Sequence, residues 1–403
     1  MNIRILVFLS IANIVATLGQ GLVVPLLPGY AHDLGASGFT IGLIFGVFSV
    51  SRSVLLPYFG WLSDIKGRKM FITAGLLFYF LTSIAYYYSQ HVNALILIRF
   101  LQGIAAAMIV PSSQAYAGEI SPVGKEGTTM GILNVAFYAG LGLGPIMGGL
   151  IKDHFGIRAS FASMGLVCLA GFILCQLFLP PQKEERTCRT REKPENLGHL
   201  IRRPVILGLF LNRFSQILCI GILWTFMPLL AALEFHLSSS MIGVMISLMV
   251  LITALLTPLT GMLSDRVNKR MMMFAGSILV VITMLLFAGL DSVPGMLAAT
   301  ALSGLGGALL TSSTTAMAAV LGRRYHSMGS VMSLQIQGHS LGMFIGPMLA
   351  GIIMDFFDIR VAFGGAAAVM LVLSVVSLLL TREYDDFKNG DGGEPLLTPP
   401  QHF

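Results

Sequence analysis

The chain has 403 residues, of which 55% are hydrophobic and only 11% charged, with a mean hydropathy of +0.82. A soluble globular protein carries about 25% charged residues, so the solvent this chain is built for is lipid. Its formal charge of +6 does not indicate a nucleic-acid partner, because the basic residues sit in short loops between apolar stretches and not on one face.

A helix needs about 20 apolar residues to cross roughly 30 Å of hydrocarbon. Twelve segments qualify, near 4–28, 39–62, 70–88, 93–116, 130–151, 158–180, 204–231, 239–263, 271–290, 294–321, 329–354 and 359–381. The first resembles a signal peptide in its basic start and apolar run, but no small-x-small site ends it, so it is taken as a span. The polar stretch 181–203 reads as a linker, and the Gly-, Pro- and acid-rich tail at 382–403 is expected to be disordered. The expected organisation is therefore a six-helix bundle over 1–180, the linker, a second six-helix bundle over 204–381, and the tail. Twelve spans put both termini on one side. Arg4, Lys66, Arg68, Lys69, Lys125, Arg266, Lys269, Arg270, Arg323 and Arg324 fall on that side, against Lys152, Arg158 and Arg360 on the other. By the positive-inside rule, both termini and the linker are cytoplasmic, and the expected location is the bacterial inner (cytoplasmic) membrane.

Span 1 carries Asn13, Thr17 and Gln20 on one face, and Arg52 lies near the middle of span 2. After span 2 comes Gly60-Trp61-Leu62-Ser63-Asp64-Ile65-Lys66-Gly67-Arg68-Lys69. Gly60 would let helices approach, Gly67 would allow a left-handed turn, and Asp64 could pair with a base or face a helix N-terminus. Span 4 carries Arg99-Phe100-Leu101-Gln102-Gly103, with an arginine deep enough that function is its default reading, and ends at Glu119. In span 5, Ala136, Gly140, Gly144 and Gly148 recur every four residues around Pro145, followed by Gly149; such a stripe suits tight helix contact.

Much of this returns about 201 or 202 positions later: Gly60–Asp64 as Gly261–Asp265, Gly144-Pro145 as Gly346-Pro347, and the segment 153–158 as 355–360. The second loop keeps Gly261, Asp265, Lys269 and Arg270 but has Asn268 where the first has Gly67, a residue that tolerates the left-handed region. The second stripe comprises Gly338, Gly342, Gly346 and Ala350 around Pro347, with Gly351 following, whereas Thr300 stands where Arg99 would recur.

The loop after span 2 resembles the signature of the major facilitator superfamily, and the chain resembles its 12-span drug:proton antiporter branch through the Gly-Pro-x-x-Gly-Gly run at 144–149. The resemblance implies an all-α membrane protein with twelve helices in two pseudo-symmetric six-helix bundles. It also implies that Gly60, Asp64, Gly67, Arg68, Lys69 and their repeats latch the halves in the outward-facing state, that Glu119 pairs with Arg68, and that Arg99, with Gln102 and Gly103, takes part in coupling. Spans 1 and 7 would line the substrate cavity, making Asn13, Gln20, Asn212, Arg213, Gln216 and Trp224 candidate contacts, together with Arg52 and Gln335.

No carboxylate falls in mid-span, which counts against a narrow cation exporter, while Arg52, Arg99 and Arg213 leave three deep guanidiniums without a deep acid. His339 on span 11 is the midplane group whose ordinary titration range suits a proton carrier, with Asp64 and Glu119 as alternatives. Neither a nucleotide-binding loop, a metal cluster nor a nucleophile constellation is found, so no enzyme activity and no cofactor is expected. Cys168, Cys175, Cys188 and Cys219 lack metal spacing, and the three in apolar segments read as structural thiols. The expected partners are a small-molecule substrate, protons or another coupling ion and the bilayer, with the protein a monomer. The leading expectation is a proton-coupled exporter of amphipathic small molecules or drugs working by alternating access. The alternatives are an exchanger or exporter of an organic anion or anionic lipid and, remotely, a membrane sensor that does not transport.

Overall fold

The structure, a computed structural model, describes residues 3–122, 125–180, 200–325, 327–382 and 384. Most of the expected linker, Cys188 within it, and all but two residues of the expected tail lie outside the described residues. No strand occurs among the described residues. Twelve helices are long and apolar enough to cross a membrane. Spans 1 to 6 are Arg4–Asp33, Gly38–Lys66, Arg68–Tyr88, Val92–Ile120, Thr128–Phe155 and Ile157–Phe178. Spans 7 to 12 are Pro204–Leu233, Ser239–Arg266, Lys269–Gly289, Val293–Arg324, Met328–Phe356 and Ile359–Leu380.

Several ends differ from the hydropathy reading. Span 1 continues to Asp33, past the expected end near 28, because a 3-10 turn at Val24–Leu26 seats Pro25 and Pro28 at first-turn positions, where a missing N–H costs nothing. Spans 4 and 10 reach Ile120 and Arg324, since polar and charged residues complete helical turns beyond the apolar stretch. Ser37 and Ser238 stop spans 2 and 8 at their N-termini by accepting hydrogen bonds from the Thr40 and Met241 amides.

Span 5 packs along span 1, span 4 against spans 2 and 3, and span 6 against spans 1 and 3. The same relations return six spans later: span 11 along span 7, span 10 against 8 and 9, span 12 against 7 and 9. The halves meet through spans 2 and 11 and through spans 5 and 8, two pairs that exchange under the same shift. The glycine stripes explain the closest of these contacts. A side chain on Gly144 or Gly148 would overlap the span 1 backbone at Gly21 and Leu22, and one on Gly342 or Gly346 the span 7 backbone at Phe214 and Leu218. Buried Cys168, Cys175 and Cys219 are free thiols among apolar neighbours in the core.

Candidate substrate pathway and its gates

Residues 4 and 380 lie at one end of the bundle, the termini end; the loops before spans 2 and 8 lie at the far end. At the far end two carboxylates cross between halves. Asp355, in the last turn of span 11, accepts hydrogen bonds from the Gly38 and Phe39 amides of span 2 at 2.6 and 2.8 Å. Asp153, in the last turn of span 5, accepts from the Ser239 and Ser240 amides of span 8 at 3.0 and 2.7 Å. A carboxylate opposes the dipole of the helix whose C-terminus it occupies and complements a helix N-terminus; here each acid satisfies two of the orphan amides that begin a helix of the other half.

Below these clamps the backbones touch. A side chain on Gly42 would overlap the Pro347 carbonyl, and one on Gly243 that of Pro145. Gly149 lies against Ser239 and Gly351 against Gly38 in the same way. Farther in, Gly46 meets Phe344, Gly142 meets Leu251, and the Ser53 and Ser340 hydroxyls bond near mid-span. Toward the termini end the same four spans behave differently: Gly60, Gly131, Gly261 and Gly329 have open space where a side chain would project. Gly60 and Gly261 were expected to permit helix approach, and in this conformation neither helix has approached. The gate spans are thus in close contact from the far end to mid-span, and no neighbour packs against them at these four glycines.

At the termini end, the Arg68 guanidinium pairs with Asp64 at 2.8 Å and with Glu119, its Nε donating to the Glu119 carboxylate at 2.7 Å. Gly67 has φ +91°, the backbone region expected of it. All four residues belong to the first half, so this set braces spans 2, 3 and 4. The repeat is built otherwise. Asn268 does not take the left-handed region: its φ is −67°, and its side chain caps the Arg270 and Met271 amides at 2.9 and 3.3 Å. An extended residue with a side-chain acceptor starts span 9 as well as a glycine turn starts span 3. Asp265 is exposed and makes no hydrogen bond or ion pair with a described residue. Lys69 and Lys269 donate to the Gln176 and Ser264 carbonyls, and Arg270 to that of Leu378.

Arg99 is buried, and the structure places it inside the first half, outside the central cavity. It donates to the Ile44 carbonyl and the Gln102 Oε1 at 3.3 and 3.2 Å and lies over the Phe45 and Phe48 rings. Gln102 also accepts from the Tyr86 hydroxyl, and Gly103 leaves room for Ser51. Together they rivet span 4 to span 2. Thr300, the counterpart in the second half, bonds only within its own helix, to the Leu297 carbonyl.

Of the expected cavity residues, the structure brings together some and turns others away. Gln20 and Arg52 line one small crevice with Thr17, Tyr79, Ile109 and Phe137. Arg213 donates to Gln216 Oε1 at 2.9 Å and approaches His339 Nδ1 at 3.5 Å, and Gln216 reaches Thr311. Asn13 instead donates to the Leu9 carbonyl of its own helix at 2.9 Å, and Asn212 faces span 9, donating to Ser277 at 3.0 Å. Neither amide joins the cavity set. Trp224 is buried, and Gln335, half-buried, makes no hydrogen bond with a described residue. The sequence reading missed Asp153 and Asp355 as functional residues, although it found the repeat that contains them. The available signal was an acid in the last turn of a helix, unfavourable to that helix and duplicated.

The fold defines a class of membrane carrier: two related six-span halves joined from the far end to mid-span through spans 2 and 11 and spans 5 and 8. The chain matches the family model of the Major Facilitator Superfamily over residues 9–230 and 209–402. It belongs to that superfamily and is a transporter. It is 29% identical over 374 residues to an uncharacterised transporter of the superfamily from Methanocaldococcus jannaschii, covering 92% of this chain and 96% of the relative. To multidrug resistance protein 2 of Bacillus subtilis it is 27% identical over 387 residues, covering 93% and 94%. Among solved structures it resembles a bacterial homologue of the human lysosomal transporter Spinster in an inward-facing, occupied conformation. There the TM-score is 0.82 at 12% identity, with 94% of this chain and 96% of the other covered.

Proposed function

We propose that the protein exports amphipathic small molecules across the bacterial inner membrane by alternating access, driven by the proton gradient, and that it does no covalent chemistry. Residues 1–180 and 204–381 act as the two rocking bodies, with both termini in the cytoplasm as the lysine and arginine distribution requires. The observation that carries the reading is the one-ended closure of spans 2, 5, 8 and 11, with paired carboxylate clamps at the far end and open glycines at the termini end. A carrier that alternates must have its closing contacts on one side at a time. This conformation would load from the cytoplasm, and the arrangement works within a single chain, as a monomer.

His339 is the proposed proton carrier. Its Nδ1 accepts from Arg213, so a proton arriving there ends that hydrogen bond and turns the Arg213 guanidinium away from His339. The test is efflux from cells or proteoliposomes of a panel of fluorescent amphipaths, cationic, neutral and anionic. The reading expects efflux of at least one dye that stops on adding a protonophore. Failure of every dye to leave faster than from empty membranes would refute export, and wild-type proton-driven rates in His339→Gln would remove His339 from the mechanism. The second reading, an exporter or exchanger of an organic anion or anionic lipid, is favoured by the two midplane guanidiniums at Arg52 and Arg213.

A further inference from the structure

We infer that the ligand of the central cavity carries an anionic group, a carboxylate, sulfonate or phosphate, held between Arg52 of the first half and Arg213 of the second; this rests on the transport reading above. The first ground is where the charges lie. Among the described residues every aspartate and glutamate sits in a loop or within a helical turn of a span end, whereas Arg52, Arg213 and His339 stand well inside spans 2, 7 and 11. A guanidinium cannot shed its proton to escape a poor environment, and an uncompensated charge near mid-bilayer costs several kcal/mol.

The second ground is how these cations differ from Arg99. Arg99 is satisfied inside its own half by a carbonyl, an amide oxygen and two ring faces. Arg52 makes no hydrogen bond or ion pair with any described residue and lines a crevice together with Thr17, Gln20, Tyr79, Ile109 and Phe137, among others. Arg213 gives one N–H to Gln216 and turns another toward a ring nitrogen. Several of the ten N–H bonds on the two guanidiniums therefore have no protein acceptor.

The third ground is the sense of the remaining hydrogen-bonding groups. His339 Nδ1 faces a guanidinium donor and so presents its lone pair there, which leaves the proton on Nε2. The Gln216 carbonyl is already engaged by Arg213. The charged and ring groups left to a ligand are donors. An ammonium substrate would meet a third like charge and few acceptors; a carboxylate would find charge-assisted donors in fork geometry beside an apolar wall for its hydrocarbon part.

The two arginines also belong to different halves. The Ser53–Ser340 hydrogen bond sets Arg52 and His339, the residues just before each serine, at the same level of the seam between spans 2 and 11, and Arg213 touches His339. An anion there bridges the bodies that must rock, so binding draws them together at this level. An inside-negative membrane would itself drive a monoanion outward, by about 2.3 kcal/mol per 100 mV.

The test uses purified full-length protein and three ligands that share a ring system: 2-naphthoate, 2-naphthalenemethanol and 2-naphthylmethylammonium. Binding is read as a saturable rise in unfolding temperature. 2-Naphthoate should bind at least tenfold more tightly than the alcohol, and the ammonium not at all. Arg52→Gln and Arg213→Gln should each weaken 2-naphthoate at least tenfold, with Arg52→Lys weakened less. Ammonium binding as tight as that of naphthoate, or naphthoate affinity unchanged in both folded glutamine variants, would overturn the proposal. Should a variant fail to fold, the ranking of the three ligands on the wild-type protein decides alone. Competition by phosphatidylglycerol over phosphatidylcholine in nanodiscs would assign the anion to a lipid headgroup, and its absence to a soluble organic anion. The two readings fail separately. Cationic-dye efflux that persists in both variants, with no naphthoate binding, removes the anion and keeps the exporter; arginine-dependent naphthoate binding without efflux of any dye does the reverse.

Discussion

Replacing Asp153 and Asp355 together by alanine should open the far end. Each carboxylate satisfies two amides at the start of a helix in the opposite half. Losing a side-chain cap costs about 0.5–2 kcal/mol, and both acids are exposed, so water replaces part of each contact and about 1 kcal/mol per site is the fitting value. The two sites are separate and should add. A total of about 2 kcal/mol shifts the ratio of closed to open far ends by roughly 30-fold. Phe155 ends span 5 and Phe357 directly follows span 11 at this end, one in each half, and they are 78% and 76% exposed, so cysteines there accept spin labels without disturbing the core. With Cys188 replaced by serine and the three buried thiols shielded, double electron–electron resonance should show a longer-distance population growing in the double alanine variant, with each single variant intermediate. An unchanged distance distribution in the double variant would show that these carboxylates do not hold the halves together.

Gly42→Ala and Gly243→Ala should act on the same equilibrium, because each new side chain meets a proline carbonyl of the other half; transport should fall at least tenfold. Gly60→Ala and Gly261→Ala face open space and should leave the unfolding temperature equal or slightly higher, the gain of up to about 1 kcal/mol being that of alanine over glycine in a helix. Arg99→Gln should destabilise the protein by about 2–4 kcal/mol, seen in thermal unfolding, because it strips the donors from a buried set; loss of transport at an unchanged unfolding temperature would instead make Arg99 a coupling residue. Asn268→Ala should cost about 1 kcal/mol and Asn268→Gly a few tenths in thermal unfolding, whereas a left-handed turn at this position would make Asn268→Gly stabilising.

The spans and their duplication were legible because length and apolarity are constraints that lipid imposes on every helix alike. The Arg68–Glu119 pair was legible through the resemblance of both positions to the superfamily's pattern. The cavity was only half legible. Asn13 and Asn212 share spans with Gln20 and Arg213, but in a helix apolar all round the period does not say which face is wet. A short amide can turn to a carbonyl four residues back or to a serine on a neighbour, as these two do. At Gly60 and Gly261 no neighbour lies against the helix: a small residue permits contact but does not specify the conformation in which the contact is made. Asn268 kept the turn by a different device from the one its left-handed tolerance suggested, since a side-chain acceptor and a positive φ are equivalent ways to begin a helix.

The unequal treatment of span 4 and span 10 bears on how the molecule bends. Arg99 cross-braces spans 2 and 4 through carbonyl, amide and ring contacts, while Thr300 reaches no farther than its own preceding turn. Spans 8 and 10 are joined instead by hydroxyls, Thr253 donating to the Gly304 carbonyl, Ser312 to that of Thr257, and Thr260 pairing with Ser312, so each body is braced at the equivalent place by different chemistry and neither should bend before the other. Amides of spans 8 and 10 would then exchange hydrogen for deuterium at rates close to those of spans 2 and 4, the equivalent places in the fold.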